Sequence, residues 1–310
     1  MLSVSLGLWQ DRPASEALLT AKAADELGYP ELWVGEMATY DAFALGTAIG
    51  LATERIGLTL GPFAVAVRDP MMIAMGVASV ADLVQREINV AIGTSSPLVV
   101  EKWHGRPHAG SAKALADQVE VLRGLLNGEK SGHARSDGYR LRLNAPRSTI
   151  TVAAFGPQAV RIAATADRMV LNLITPASAA RLISDFRAAG GKRVTAWVTA
   201  SVHKDAAAIE QLRRAVVGYL AAPGYGEMFA EAGFGDVVAF ARTRPHPREL
   251  LARIPDELLE SVGLLGDTIE KRQAEYRDAG VDEIAVVPVS TDNDPGGATT
   301  LRELRALGAR

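Results

Sequence analysis

The sequence predicts an α/β protein built as a (β/α)8 TIM barrel with insertion segments. Three observations lead there. Short apolar runs alternate with helix-patterned runs eight times along the 310 residues, which implies parallel strands covered by helices. Eight such units suit a closed barrel, which typically takes ~250 residues. Residues 24–34 (ADELGYPELWV) and 276–286 (YRDAGVDEIAV) both read as helix, glycine stop, acidic residue and strand. They are repeated αβ units without the fixed period of a solenoid. The rival architecture, an open doubly wound sheet, lacks its G-x-G-x-x-G after the first strand.

The elements follow in order. Residues 3–8 form a first strand ending at Trp9. Residues 15–27 have helical spacing, with Ser15 as N-cap and Gly28 past the end. Residues 31–34 form a second strand, opening into Gly35-Glu36-Met37 and running on to Tyr40. A helix covers 42–52. Residues 55–60 form a third strand, opening into Gly61-Pro62-Phe63-Ala64. Pro70 starts a helix that runs to about Val84. The fourth strand, 88–92, breaks into Gly93-Thr94-Ser95-Ser96-Pro97. These are small residues that let a loop approach a ligand and offer it hydroxyl and N–H groups.

A helix over 111–126 leads into a polar excursion near 127–147. That excursion carries a hairpin signal at Asp137-Gly138, with Tyr139, Leu141 and Leu143 alternating. Strand five spans 149–154 and ends at Phe155-Gly156-Pro157-Gln158, where a helix begins. Strand six spans 169–173, with Asn172 near its end, and a helix over 178–189 follows. Strand seven spans 194–202, ahead of His203, and is followed by a helix over 206–220. A second excursion covers about 222–266. A helix over 267–279 starts at Asp267 as N-cap, strand eight spans 283–287, and a last helix covers 299–307. The whole is expected to be a single barrel domain over 1–310 with those two excursions.

Composition narrows the chemistry. The net charge is −3 with both signs interspersed, so the chain lacks the basic stripe of a nucleic-acid binder. It has no cysteine, which removes disulfides, thiolate catalysis and cysteine-ligated zinc. No apolar run is long enough to span a bilayer, and the first residues read as a strand rather than a signal peptide. A cytoplasmic location is expected. His104 and His108 are four apart, but Gly105 and Pro107 intervene and no H-E-x-x-H occurs, so no metal site is assigned. No P-loop or G-x-S-x-G is present.

In a barrel the strand C-termini share one face. Small and aromatic residues there suit a flat ring, with Glu36, Gln158 and Asn172 as candidates for orienting it. Gly156 before the helix at Pro157 is a candidate phosphate seat. Trp9, Met37, Tyr40 and Trp103 are candidates for an apolar substrate pocket, with core packing as their alternative use.

Five stretches resemble the bacterial luciferase-like superfamily, nearest to its coenzyme F-420-dependent oxidoreductase branch. They are 24–36 (ADELGYPELWVGE), 52–70 (ATERIGLTLGPFAVAVRDP), 92–105 (IGTSSPLVVEKWHG), 152–163 (VAAFGPQAVRIA) and 255–288, which ends RDAGVDEIAVVP. The resemblance implies a TIM barrel, usually a homodimer, with a ring-shaped redox cofactor across the C-terminal mouth. The cofactor is F-420, or FMN in the alternative. It implies a bulge at the end of strand three that backs the ring, here at Gly61–Pro62, and a cis bond is predicted there. Gly61, Pro62, Phe63, Ala64, Thr94, Ser95, Ser96, Phe155, Gly156, Gln158 and Glu36 would then contact the cofactor.

Two departures matter. Sugar-phosphate dehydrogenases of the superfamily have a histidine where this chain has Met37, and a catalytic glutamate where it has Ser96. Methionine exchanges no proton, so sugar-phosphate oxidation by that route is disfavoured. Glu36 is left as the candidate catalytic carboxylate. The expected function is hydride transfer between F-420 and a small organic substrate, as a reductase. The alternatives are an FMN monooxygenase, a non-catalytic cofactor-binding protein, and an aldolase-type barrel using Lys204.

Overall fold

The computed structural model describes residues 1–10, 12–134 and 136–307. Among the described residues nine strands make one sheet: β1 (Leu2–Ser5), β2 (Glu31–Val34), β3 (Gly57–Ala64), β4 (Ile88–Gly93), β5 (Ile150–Ala153), β6 (Arg168–Asn172), β7 (Val194–Ser201), β8 (Gly263–Leu265) and β9 (Glu283–Pro288). Their order is β6-β5-β4-β3-β2-β1-β9-β7-β8, with β6 pairing β7 as well. The order therefore returns on itself through β6 and β7, with β8 as a short addition alongside β7. This is the (β/α)8 barrel that the alternation predicts. Strands buried on both faces read as continuous apolar runs, and β4 after Asn89 (VAIG) and β9 after Glu283 (IAVVP) do so.

Helices follow the strands: α1 (Glu16–Glu26), α2 (Ala42–Ala52), α3 (Pro70–Val84), α4 (Ser111–Leu126), α5 (Pro157–Ala163), α6 (Pro176–Ala188) and α7 (Ala206–Leu220). Then come α8 (Tyr225–Phe229), α9 (Gly235–Arg242), α10 (Pro247–Arg253), α11 (Asp256–Val262), α12 (Ile269–Asp278) and α13 (Ala298–Leu307).

The chain forms two compact units. The first holds Met1–Tyr29, Leu171–Ser184 and Val194–Arg310; the second holds Pro30–Val170 and Asp185–Arg193. In the first, α1 packs against α13, and β9 pairs with both β1 and β7. Tyr29 and Tyr276 are buried there, and each phenol donates to a main-chain carbonyl, of Leu301 at 2.7 Å and Ile174 at 2.6 Å. In the second unit, β2 to β5 pair in sequence order, while α2 packs on α3 and α3 on α4. Trp33, Leu58, Leu60, Phe63 and Ile73 fill its core.

Five sequence readings change. Strand three continues through Gly61-Pro62 to Ala64, because a bulge carries the ladder past the glycine. Ser15 makes no side-chain cap, and α12 is preceded by a 3-10 turn, Gly266–Thr268, that displaces Asp267 from the cap position. Among the described residues of 127–149 there is no hairpin strand. The main-chain bonds Ser131 N to Tyr139 O and Gly138 N to Ser131 O, both 2.8 Å, close a loop instead. The end of the second excursion, Gly263–Leu265, is strand β8, paired with β7 at Thr199–Ser201.

Candidate active site

The C-terminal ends of β2 to β5 lie side by side in the second unit, and they carry every block of predicted site residues except Trp9 and Asn172. At β3 the register slips. Leu60 faces Val90, but Phe63 faces Ile92, so three residues of β3 span two of β4. Gly61 sits at the slip with φ 105°, and a Cβ there would collide with the Ala91 carbonyl, which leaves glycine as the workable residue. The Gly61–Pro62 bond is cis, as the sequence reading holds. Phe63 turns into the core and stacks on Phe43 of α2, centroids 4.8 Å apart. Pro62 and Ala64 stay half-exposed.

The neighbouring strand ends are kept small. A Cβ on Gly93 would meet the Ala153 Cβ at 3.1 Å and the Pro62 Cβ at 3.7 Å. Beyond it Thr94 is half-exposed, while Ser95 and Ser96 are exposed. Ser95 takes a left-handed φ of 57°. Its carbonyl lies 3.1 Å from His108 Nε2, so that histidine is used to hold the loop. Ser96 precedes a π-helical segment, Leu98–Trp103, whose N-cap is Pro97, and its Oγ accepts the Val99 N–H at 3.4 Å. Trp103 at the end of that segment is exposed. At β5, Phe155 is half-buried and Gly156 and Gln158 are exposed at the start of α5, where no side chain caps the helix.

Glu36 follows β2 and is gripped on several sides. Arg68 donates to it twice, Nε to Oε1 at 3.0 Å and Nη2 to Oε2 at 2.6 Å. The Ala42 N–H adds a third bond at 3.3 Å. Arg68 also pairs with Asp41, the N-cap of α2, and its guanidinium lies 5.5 Å from the centre of the Phe43 ring. A tight turn after β3 places Arg68, with Val67 N and Arg68 N both 2.9 Å from the Ala64 carbonyl. Buried Gln118 of α4 holds the Arg68 carbonyl at 3.0 Å. The hydrogen bonds to Glu36 push the Arg68 pKa further up. For Asp41, burial alone would raise the pKa. The Ala44 N–H and Arg68 outweigh it and hold the carboxyl below its ordinary value. Met37 is 47% exposed beside this cluster and Tyr40 is half-buried.

Sequence reasoning named Glu36 but missed Arg68, Asp41 and Gln118. The available signal was Arg68-Asp69-Pro70, an arginine just before a capped, proline-started helix.

Trp9 lies in the first unit, half-exposed in a turn closed by Gln10 N to Gly7 O at 3.0 Å. Gln10 fastens that turn to the end of β9, accepting from Ser290 N at 2.8 Å and donating to Pro288 O at 2.9 Å. Asn172 is engaged locally, its amide donating to the Tyr219 hydroxyl at 3.2 Å. Lys204 bonds Glu260 at 2.5 Å, and this bond raises its pKa. An ammonium held protonated is a poor Schiff-base nucleophile, so the aldolase reading loses its lysine.

Comparison with known proteins accords with this geometry. A Mycobacterium tuberculosis protein provisionally named a coenzyme F-420-dependent oxidoreductase is 23% identical, over 99% of this chain and 98% of its own. The F-420-dependent tetrahydromethanopterin reductase of Methanopyrus kandleri superposes with a TM-score of 0.79 at 18% identity, covering 98% and 97% of the two chains. The oxygenating constituent of 3,6-diketocamphane monooxygenase from Pseudomonas putida, a complex with FMN, gives 0.70 at 16% identity over the same shares. The luciferase-like monooxygenase family model matches residues 4–283, and the chain belongs to that family.

Proposed function

We propose that the protein is an F-420-dependent oxidoreductase, transferring hydride between the deazaflavin and a small organic substrate in the reducing direction. The observation that carries this is the shelf at the ends of β3, β4 and β5. The β3 bulge sets Pro62 against Gly93, and Gly93 against Ala153, where a Cβ would intrude. Small, half-exposed side chains in a row fit a flat ring laid against them. F-420, when bound, supplies the hydride chemistry.

The chain's own groups position it. Gly61, Pro62 and Ala64 form the backstop, Phe63 anchors it from the core instead of meeting the ring, and Thr94, Ser95 and Ser96 offer polar contacts along one edge. Phe155, Gly156 and Gln158 border the next strand end. Glu36 accepts three hydrogen bonds from Arg68 and Ala42. It is therefore a firmly held acceptor, placed to orient a ligand. Met37, Tyr40 and Trp103 present apolar surface to the substrate. Exposed Leu51 on α2 and Met72, Met75 and Leu83 on α3 suit a second copy of the chain, in keeping with the expected homodimer.

The test is a side-by-side fluorescence titration of the cofactor-free protein with oxidised F-420 and FMN. Tighter binding of F-420 is the expected result. Preference for FMN would turn the reading to a luciferase-like monooxygenase and to oxygen-uptake assays. Binding of neither would leave a barrel without this site.

A further inference from the structure

The first unit contains Tyr29, Tyr219, Tyr225 and Tyr276, and one of them is bonded the other way round. Tyr29, Tyr225 and Tyr276 each donate the phenol hydrogen to a main-chain carbonyl, of Leu301 at 2.7 Å, Asn172 at 3.2 Å and Ile174 at 2.6 Å. Tyr219 instead accepts, taking the Asn172 side-chain amide at 3.2 Å. Its own hydrogen meets no acceptor among the described residues. Half-buried polar hydrogens are usually spent within the protein or on water, and a ligand oxygen can take the place of that water.

The surroundings aim that hydrogen. Asn172 is the last residue of β6, at the strand end where barrels carry their chemistry. The next residue, Leu173, is buried with φ at 47°, a left-handed conformation that a bulky side chain resists. Such strain collects at functional positions. Tyr219 lies in the last turn of α7 and Tyr225 opens α8, with Gly224 at φ 83° turning the chain between them. Their rings meet edge-on, centroids 4.8 Å apart. Asn172 thus holds both, its main-chain carbonyl taking Tyr225 and its side-chain amide orienting Tyr219. All three side chains are half-buried. Burial pushes the Tyr219 pKa up, against the Asn172 bond, so the phenol keeps its hydrogen at neutral pH. The three are also uncharged, which suits a neutral acceptor, since burying an anion without a counter-charge is costly.

We propose that Asn172 and Tyr219 form a site for the carbonyl oxygen of a small, uncharged organic compound, with Tyr219 donating the hydrogen bond and Asn172 positioning it. This names the substrate class of the proposed oxidoreductase as aldehydes and ketones. That assignment as substrate rests on the cofactor reading above; the binding of the carbonyl does not.

The probes are butan-2-one and cyclohexanone, titrated against the protein with and without saturating oxidised F-420. Infrared difference spectra follow the carbonyl stretch of the isotope-labelled ketones. The wild type should bind at least one ketone and move its stretch to lower frequency. Tyr219→Phe should weaken that binding roughly fivefold, the scale of one hydrogen bond, and abolish the shift. Asn172→Asp keeps the side chain's size but offers a carboxylate that accepts the phenol hydrogen, so it should abolish the shift as well. Tyr225→Phe, whose lost hydrogen was spent on the main chain, should retain it. Melting curves check that the variants fold. Failure of both ketones to bind in either state, or a shift that survives Tyr219→Phe or Asn172→Asp, overturns the carbonyl site and leaves the cofactor reading standing. Ketone binding with the expected shifts but without binding of F-420 upholds the site and overturns the cofactor reading.

Discussion

The second unit contains two arginine–carboxylate clusters built from the same chemistry at opposite ends of the same strands. At the N-terminal ends, Arg168 of β6 donates to Glu31 of β2 at 2.6 and 2.8 Å and to Thr151 of β5 at 3.0 Å. Its guanidinium lies 4.2 Å from the centre of the Trp33 ring. These side chains are 6% and 13% exposed for arginine and glutamate. At the C-terminal ends, Arg68 and Glu36 are 20% and 17% exposed, and their partners are a helix N-terminus and a capping aspartate. The lower cluster ties strands to one another inside the barrel. The upper one ties a strand end to the loop and helix that border the shelf. In barrels the strand N-termini serve stability and the C-termini serve chemistry, so one residue pair can do either task, depending on which end it occupies.

The largest effect should come from the lower cluster. Arg168→Met leaves Glu31 buried without its main counter-charge, and breaking such a pair costs about 3–5 kcal/mol. Equilibrium urea unfolding should show that loss. A cost under about 1 kcal/mol would erase the distinction, since that is the range of an exposed pair. Arg68→Met should reverse the pattern. It should cost about 1–2 kcal/mol in the same experiment but weaken F-420 binding roughly tenfold, because Glu36 is no longer held. Arg68→Lys, which keeps the charge without the two-pronged grip, should recover only part of that affinity. Equal losses of stability in the two methionine variants would break the comparison.

The smallest effect concerns pH. Asp41 has its folded-state pKa depressed by the Ala44 N–H and Arg68 against the opposing effect of burial. The stabilisation it gives is therefore complete above its unfolded pKa of about 3.9 and is lost as pH falls through the lower folded value. The melting-temperature advantage of wild type over Asp41→Asn should be constant from pH 7 to about 5 and should disappear at still lower pH. An advantage that persists in acid would mean that the aspartate acts through its cap geometry alone.

The bulge shows where sequence reading and structure meet. Gly61-Pro62 was legible as a break, and the residues around it as a candidate site. That β3 continues beyond the break was not legible, because the continuation depends on Phe63 stacking on Phe43 and pairing opposite Ile92. Glu36 was legible as a carboxylate at a strand end. Its partner was not legible, because Arg68 lies 32 residues on and reaches it only in the folded chain. The hairpin signal at Asp137-Gly138 failed because turn chemistry specifies a turn, while a strand also needs a partner edge, and the loop bonds close on themselves.

The sequence by itself determined the alternation of strand and helix, the helix starts at Pro70 and Pro157, and the placing of glycines where strands open into loops. These follow from local propensity and periodicity, which neighbouring residues decide among themselves. The tertiary structure alone decided which charges meet, so that Arg68 holds Glu36 and Arg168 holds Glu31. Ion pairing joins residues far apart in the chain, and neither spacing nor composition carries that information.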